Sequence, residues 1–231
     1  MIKAAALIAL ALALAAAPAG ANPPPRRPVV VELFTSQGCS SCPPANAALA
    51  SVSAEPGVVA LTFDVTYWDY LGWKDTFARP EYTQRQTDYE PPLHQASTYT
   101  PQVVVMGAAD TVGQTRQKID ALIAKASPAP GAPEVSLTPH GARIGAGHAP
   151  RRPADVWLVR YDPRVVQVPI RRGENGGKTL PQKNVVRSLV RLGAWRGEAA
   201  HFTYPPEPVG LKTAVLVQGH AGGPILAAAV D

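Results

Sequence analysis

The feature that most constrains this chain is a junction near its N-terminus. The apolar run Val29-Val30-Val31-Glu32-Leu33-Phe34 passes through the loop Thr35-Ser36-Gln37-Gly38 into Cys39-Ser40-Ser41-Cys42, and Pro43-Pro44 then opens an Ala-rich segment. A continuous, β-branched apolar run predicts a strand buried on both faces, as in a sheet covered by helices. Proline is at home in the first helical position, where its missing N–H costs nothing, so residues 45–53 are expected to form a helix ending at Glu55-Pro56-Gly57. The junction therefore predicts an α/β fold with two thiols set at a helix N-terminus.

The remaining pattern extends that reading. Residues 58–65 and 101–106 are expected strands, and the aromatic, charged stretch 67–93 is expected to be mostly helical, broken by Pro80. A turn at 107–110 leads to a short strand around 111–113, and 115–126 has the spacing of an amphipathic helix, with Ile119, Leu122 and Ile123 on one face. The expected order is β-α-β-α-β-β-α. Residues 128–133, rich in Pro, Ala and Gly, mark a linker. Beyond it, 134–138, 142–145, 155–161, 165–171, 211–218 and 225–230 are expected short strands of a β-rich, sandwich-like domain spanning 134–231. Residues 184–192 fit helix and strand equally.

The first residues have the pattern of an export signal. Lys3 precedes an Ala/Leu/Ile run over 4–17, too short for a membrane span, and Ala19-Gly20-Ala21 has the small-x-small form of a cleavage site. A signal peptide over 1–21 and a Pro-rich lead over 22–28 are expected, which places the mature protein in the periplasm or outside the cell, with no membrane span after cleavage. The net charge of +5 is scattered rather than gathered into a stripe, which argues against a nucleic-acid partner. Nothing declares a dimer, so a monomer is expected.

Only two cysteines occur in the chain. A small domain stabilised by disulfides would hold more, so this pair points to chemistry. At a helix N-terminus the dipole and free N–H groups favour a thiolate on Cys39, and Cys42, one turn on, can resolve a mixed disulfide. Exchange requires the Cys39 sulfur to be accessible to a partner. The resolving thiol also needs a nearby proton carrier, for which Glu32 and Asp64 are the candidates, because burial would raise either carboxyl. Trp68, Tyr70 and Trp73 form a candidate aromatic wall for substrate, beside Gly38. No second C-x-x-C accompanies the first, so a zinc site lacks two ligands. No cofactor is expected. The expected partners are protein thiols and disulfides of the cell envelope. The competing reading is a non-enzymatic binding protein, a copper carrier or an adaptor, with a structural disulfide.

A C-x-x-C placed after a buried strand, at a helix start and within this element order, resembles the thioredoxin superfamily over residues 29–127. That resemblance implies that Pro101, at the start of the third strand, is cis and faces the cysteines, with Thr100 contacting the sulfurs. The stretches 31–44, 64–75 and 99–102, together with Arg172-Gly173-Glu174-Asn175-Gly176-Gly177 and Asn184-Val185-Val186-Arg187, resemble the bacterial DUF1223 family. This implies a secreted thioredoxin-like protein with an appended β-rich domain, and no defined reaction. The loop 173–177 could approach the cysteines or simply turn a hairpin.

Overall fold

The computed structural model describes residues 27–127 and 129–231. The expected signal peptide, most of the Pro-rich lead and Pro128 lie outside them. The order begins with β1 (Val29–Thr35), α1 (Pro43–Val52) and β2 (Val58–Asp64). A 3-10 turn (Asp69–Leu71) leads to α2 (Pro80–Asp88), followed by β3 (Gln102–Val105), β4 (Ala109–Thr111) and α3 (Arg116–Ile123). The rest is β structure: β5 (Val135–Thr138), β6 (Gly141–Ile144), β7 (Ala154–Pro169), β8 (Thr179–Trp195), β9 (Ala200–Thr203), β10 (Lys212–Gln218) and β11 (Ile225–Val230).

Three expectations are corrected and one open reading is resolved. Pro80 does not break a helix but opens α2, because its fixed φ suits the first turn. The stretch 67–93 holds only the 3-10 turn and α2. The ambiguous residues 184–192 are strand, since they lie within β8, and the separate strands expected at 155–161 and 165–171 are one, β7. These two long strands pair antiparallel from Ala154↔Trp195 to Pro169↔Thr179, with irregularities that bend the ribbon.

The strands beyond the linker extend the first sheet. Among the described residues one mixed sheet runs β11-β10-β7-β8-β2-β1-β3-β4, and β5-β6-β9 form a second. The join is β2 beside β8, parallel at Thr62↔Val185. Side chains reinforce it: Thr62 Oγ1 donates to Lys183 O at 2.7 Å and Asn184 Nδ2 to Ala60 O at 2.8 Å. Asn184 has φ 54, a left-handed conformation that asparagine tolerates better than most residues. At the far edge Ile225 N donates to Met106 O at 2.7 Å, so β11 meets the turn after β3 and the large sheet curls around α2.

Period-two alternation divides β1 between two cores. Val31 and Leu33 pack on Ala45, Ala48, Leu49 and Val52 of α1 and Ile119 of α3. Val30 and Phe34 face the other way, into the core that holds Tyr82 and Tyr89 with residues of β2, β7, β8, β10 and β11. A third core lies between the small sheet (Ala142, Ile144, Phe202) and the large one (Val156, Leu158, Val215, Val217), a sandwich-like packing of two layers.

Glu32 shares the α2 side of β1 with Val30 and Phe34. Arg85 Nε donates to its Oε1 at 2.7 Å, Tyr89 hydroxyl binds its Oε2, and Arg85 Nη1 donates to Gln218 Oε1 at 3.0 Å. Glu32 is 0% exposed. Removing one partner of such a pair strands a buried charge. An Arg85→Met variant is expected to lose about 3–5 kcal/mol in urea unfolding, and adding Glu32→Gln should restore much of it. A single variant as stable as the wild type would show that the pair is not what holds α2 inside the sheet.

Candidate active site

Cys39 and Cys42 form a disulfide with their Cα atoms 5.4 Å apart. Cys42 is the residue before α1, and its carbonyl accepts from Ala45 N at 3.0 Å and Asn46 N at 3.1 Å. Ser41 Oγ lies 3.3 Å from Cys39 Sγ. The sulfurs thus occupy the helix start that the sequence predicts. Both cysteines, however, are 0% exposed, which corrects the expectation of an accessible Cys39.

Pro101 and Thr100 lie at the same end of the sheet. Phe34 pairs with Gln102, so Pro101 falls beside Thr35, and the Thr100–Pro101 peptide is cis. Trp68 Nε1 donates to Thr100 Oγ1 at 2.7 Å. A Cβ added to Gly38 would lie 3.2 Å from Trp68 Cβ, so glycine lets the indole approach the cysteine loop. Trp73 Nε1 donates to Gln37 Oε1 at 3.0 Å. Of the expected aromatic wall, Trp68 and Trp73 therefore brace the loop, whereas Tyr70 is 79% exposed.

The two candidate proton carriers separate by strand parity. Thr35 pairs with Asp64, and in parallel register both lie on the side of Val31, Leu33 and Ala60, the side that α1 covers. Glu32 lies on the opposite side, already engaged by Arg85 and Tyr89.

Asp64 has a partner the sequence reading missed. Asp75, also buried, accepts Gln37 N at 2.7 Å on Oδ2, and Phe77 N at 2.9 Å and Ala78 N at 3.2 Å on Oδ1. Asp64 Oδ1 accepts Gln182 Nε2 at 2.5 Å, and its buried Oδ2 has no donor. Burial, then repulsion from Asp75, holds the Asp64 carboxyl well above the usual carboxylate range; burial also raises Asp75. The three amide donors favour charge on Asp75, so the proton belongs on Asp64. Gln37 closes the circuit, its Nε2 donating to Gln182 Oε1 at 3.2 Å and Thr76 Oγ1 at 2.9 Å.

The β7–β8 loop completes the site. Asn175 Nδ2 donates to Gln37 O at 3.0 Å and Cys39 O at 2.8 Å, and Ser40 N donates to Glu174 Oε2 at 2.9 Å. Both of its readings hold: the loop turns the β7–β8 hairpin and also approaches the cysteines. Asp75 lay in plain view within the aromatic motif, but nothing in that motif pairs it with Asp64. Gln37 and Asn175 stood within stretches that carry the family resemblance but with no role assigned to them, and Gln182 carried no signal beyond its polarity. Among the described residues no three His, Cys, Asp or Glu side chains come together as metal ligands.

The family model described as "Protein of unknown function (DUF1223)" matches residues 30–218. The chain is also similar to the crystal structure of an Agrobacterium tumefaciens protein, with a TM-score of 0.70 and 31% identity, covering 87% of this chain and 92% of that one. No curated protein matches. None of the helices among the described residues is long and apolar enough to cross a membrane.

The raised Asp64 carboxyl has a stability consequence of definite sign. The folded state binds this proton more tightly than the unfolded chain, whose carboxyl titrates near 3.8. Its contribution is therefore full below pH 3.8 and is lost as pH rises toward the folded value. Asp64→Asn keeps the acceptor for Gln182 and supplies a permanent donor for Asp75. In that variant the loss should be absent, so the stability difference from wild type should shift toward the variant by up to about 1.4 kcal/mol per pH unit above 3.8. Urea midpoints across pH would measure it, and parallel curves for the two proteins would refute the assignment.

Proposed function

The chain belongs to the DUF1223 family, and on that premise we propose that it is an exported thiol:disulfide oxidoreductase acting through Cys39 and Cys42. The observation that carries the reading is the pairing of a disulfide at a helix start with a buried carboxyl on the helix-covered side of the sheet. The cis Thr100–Pro101 bond beside β1 and the order β1-α1-β2-α2-β3-β4-α3 support a thioredoxin-like unit over 29–127, to which the later strands are appended. Export rests on the sequence pattern of residues 1–21 and would place the protein in the periplasm or outside the cell.

In the reductive direction a partner thiolate attacks Cys39 Sγ. The S–S bond breaks, its electron pair passes to Cys42 Sγ, and Asp64 supplies the proton that neutralises the leaving thiolate. A second partner thiol gives up its proton, attacks the partner sulfur of the mixed disulfide and releases the Cys39 thiolate, which the α1 dipole and the Ser41 hydroxyl, 3.3 Å from Cys39 Sγ, stabilise. The partner leaves as a disulfide, two electrons poorer. In reverse, Asp75 holds Asp64 ready to take the Cys42 proton.

One observation favours the competing reading of a binding protein with a structural disulfide: both sulfurs are buried. Redox titration separates the two. An exchange disulfide should show a midpoint at roughly −180 to −300 mV, whereas a structural one lies below about −300 mV. Cys42→Ala should also hold a stable mixed disulfide on Cys39 when challenged with an oxidised protein substrate, and Cys39→Ser should hold none. A midpoint below that window, with no adduct on Cys42→Ala, would overturn the oxidoreductase.

A further inference from the structure

A disulfide with neither sulfur exposed cannot react as it stands, because the attacking thiolate must reach sulfur along the S–S axis. The element docked on the cysteine loop comes from the distant half of the sequence, between β7 and β8. It is a self-contained unit: Gly177 N donates to Ile170 O and Ile170 N to Lys178 O, both at 2.8 Å, and Gly176 N to Gly173 O at 3.0 Å. Gly173 and Gly177 have φ of 77 and 82, the left-handed conformation that lets so short a segment fold on itself. Most of the loop is exposed, but Asn175 is 0% exposed.

Its three bonds to the cysteine loop fall on the backbone of Gln37, Cys39 and Ser40. The Asn175 amide takes the carbonyls of Gln37 and Cys39, and the Glu174 carboxylate takes the N–H of Ser40. Hydrogen bonding from Ser40, its side chain first and then its backbone amide, holds the Glu174 carboxyl below its ordinary range. In the oxidised protein Glu174 has this amide to itself. Once Cys39 becomes a thiolate, two anions compete for the same helix start, and they repel. Lys178, whose Nζ binds Asn175 Oδ1 at 3.0 Å, stays on the loop and lifts with it, while the Asp75 anion lies on the cysteine side.

We propose that the β7–β8 loop is a redox-responsive gate over the disulfide, with Asn175 as its latch and Glu174 as the charge that opens it. The gate seats on the oxidised site and lifts from the reduced one. Partners therefore reach the disulfide only through transient opening, and reach the dithiol freely. This deepens the oxidoreductase reading and rests on it for its purpose, but its test needs no physiological partner.

Dithiothreitol serves as the reductant: one of its thiolates attacks Cys39, Cys42 leaves and is protonated, and its second thiol loses its proton and attacks the reagent's own sulfur in the mixed disulfide, expelling the Cys39 thiolate and closing the reagent into its cyclic disulfide. Asn175→Ala should be reduced roughly tenfold faster than wild type, the effect of losing two hydrogen bonds from the closed state. The Ser40 amide should exchange with solvent at least about tenfold faster in the reduced than in the oxidised protein. In Glu174→Gln, which keeps the shape and removes the charge, that difference should shrink. Glu174 is a surface residue, so this variant tests the charge even if Asn175→Ala fails to fold. Unchanged reduction of a folded Asn175→Ala, or Ser40 exchange indifferent to redox state, overturns the gate. A midpoint below the exchange window overturns the oxidoreductase instead, with these measurements still standing.

Discussion

The hydrogen bond from Gln182 to Asp64 joins the two halves of the chain at the buried end of the large sheet, and the geometry of the site depends on it. Gln182 comes from β8 and Asp64 from the last residue of β2. A carboxylate at that depth would have to shed its hydration, so the group stays neutral unless donors compensate it. Gln182 supplies one donor, too few for an anion. Asp75, with three backbone donors, takes the charge instead. One of those donors is the amide of Gln37, two residues before Cys39, which ties the carboxyl pair to the active-site loop.

Strand parity sends the two buried acidic residues into different surroundings. Glu32 and Asp64 are both buried and both lie on strands next to the cysteine loop. Glu32 points into the aromatic core around α2, where Arg85 meets it and stacks over Phe63, Tyr89 and Trp157. There a charge is tolerable because its counter-charge is fixed. Asp64 points toward α1, where the Gln182 amide and the Asp75 carboxyl outweigh the weaker pull of Arg187, and this shortage of cationic partners suits it to the proton-carrier role we propose.

How much of this was legible in the sequence follows from the range of each interaction. The strand, the helix start at Pro43 and the placement of the cysteines are local, set by apolar runs and backbone chemistry within a few residues, and they appear where the pattern puts them. The strands 211–218 and 225–230 were legible for the same reason. The join of β2 to β8 was not: it rests on Thr62 and Asn184 reaching across more than a hundred residues, and neither residue advertises its partner. The choice between Glu32 and Asp64 was hidden too, because a strand buried on both faces shows no alternation to say which face is which. The cover over the sulfurs was half visible as a Gly-rich loop, but its docking depends on one asparagine.

The unmet polar atoms among the described residues gather at this end of the sheet, which fits the exchange role we propose for it. Among the described residues the buried side-chain atoms without a hydrogen-bond partner are Thr35 Oγ1, Asn46 Oδ1 and Asp64 Oδ2. Thr35 and Asp64 are register neighbours, and Asn46 lies one helical turn beyond Cys42 on the same face of α1. Elsewhere the molecule satisfies demanding groups in full, as with the Arg85 guanidinium among Glu32, Tyr89 and Gln218. Orphaned polar atoms cost stability wherever they occur, so their confinement to the surroundings of one disulfide needs a local reason. Under the exchange we propose, a site that holds a proton in one redox state and releases it in the other does not keep every acceptor occupied in both.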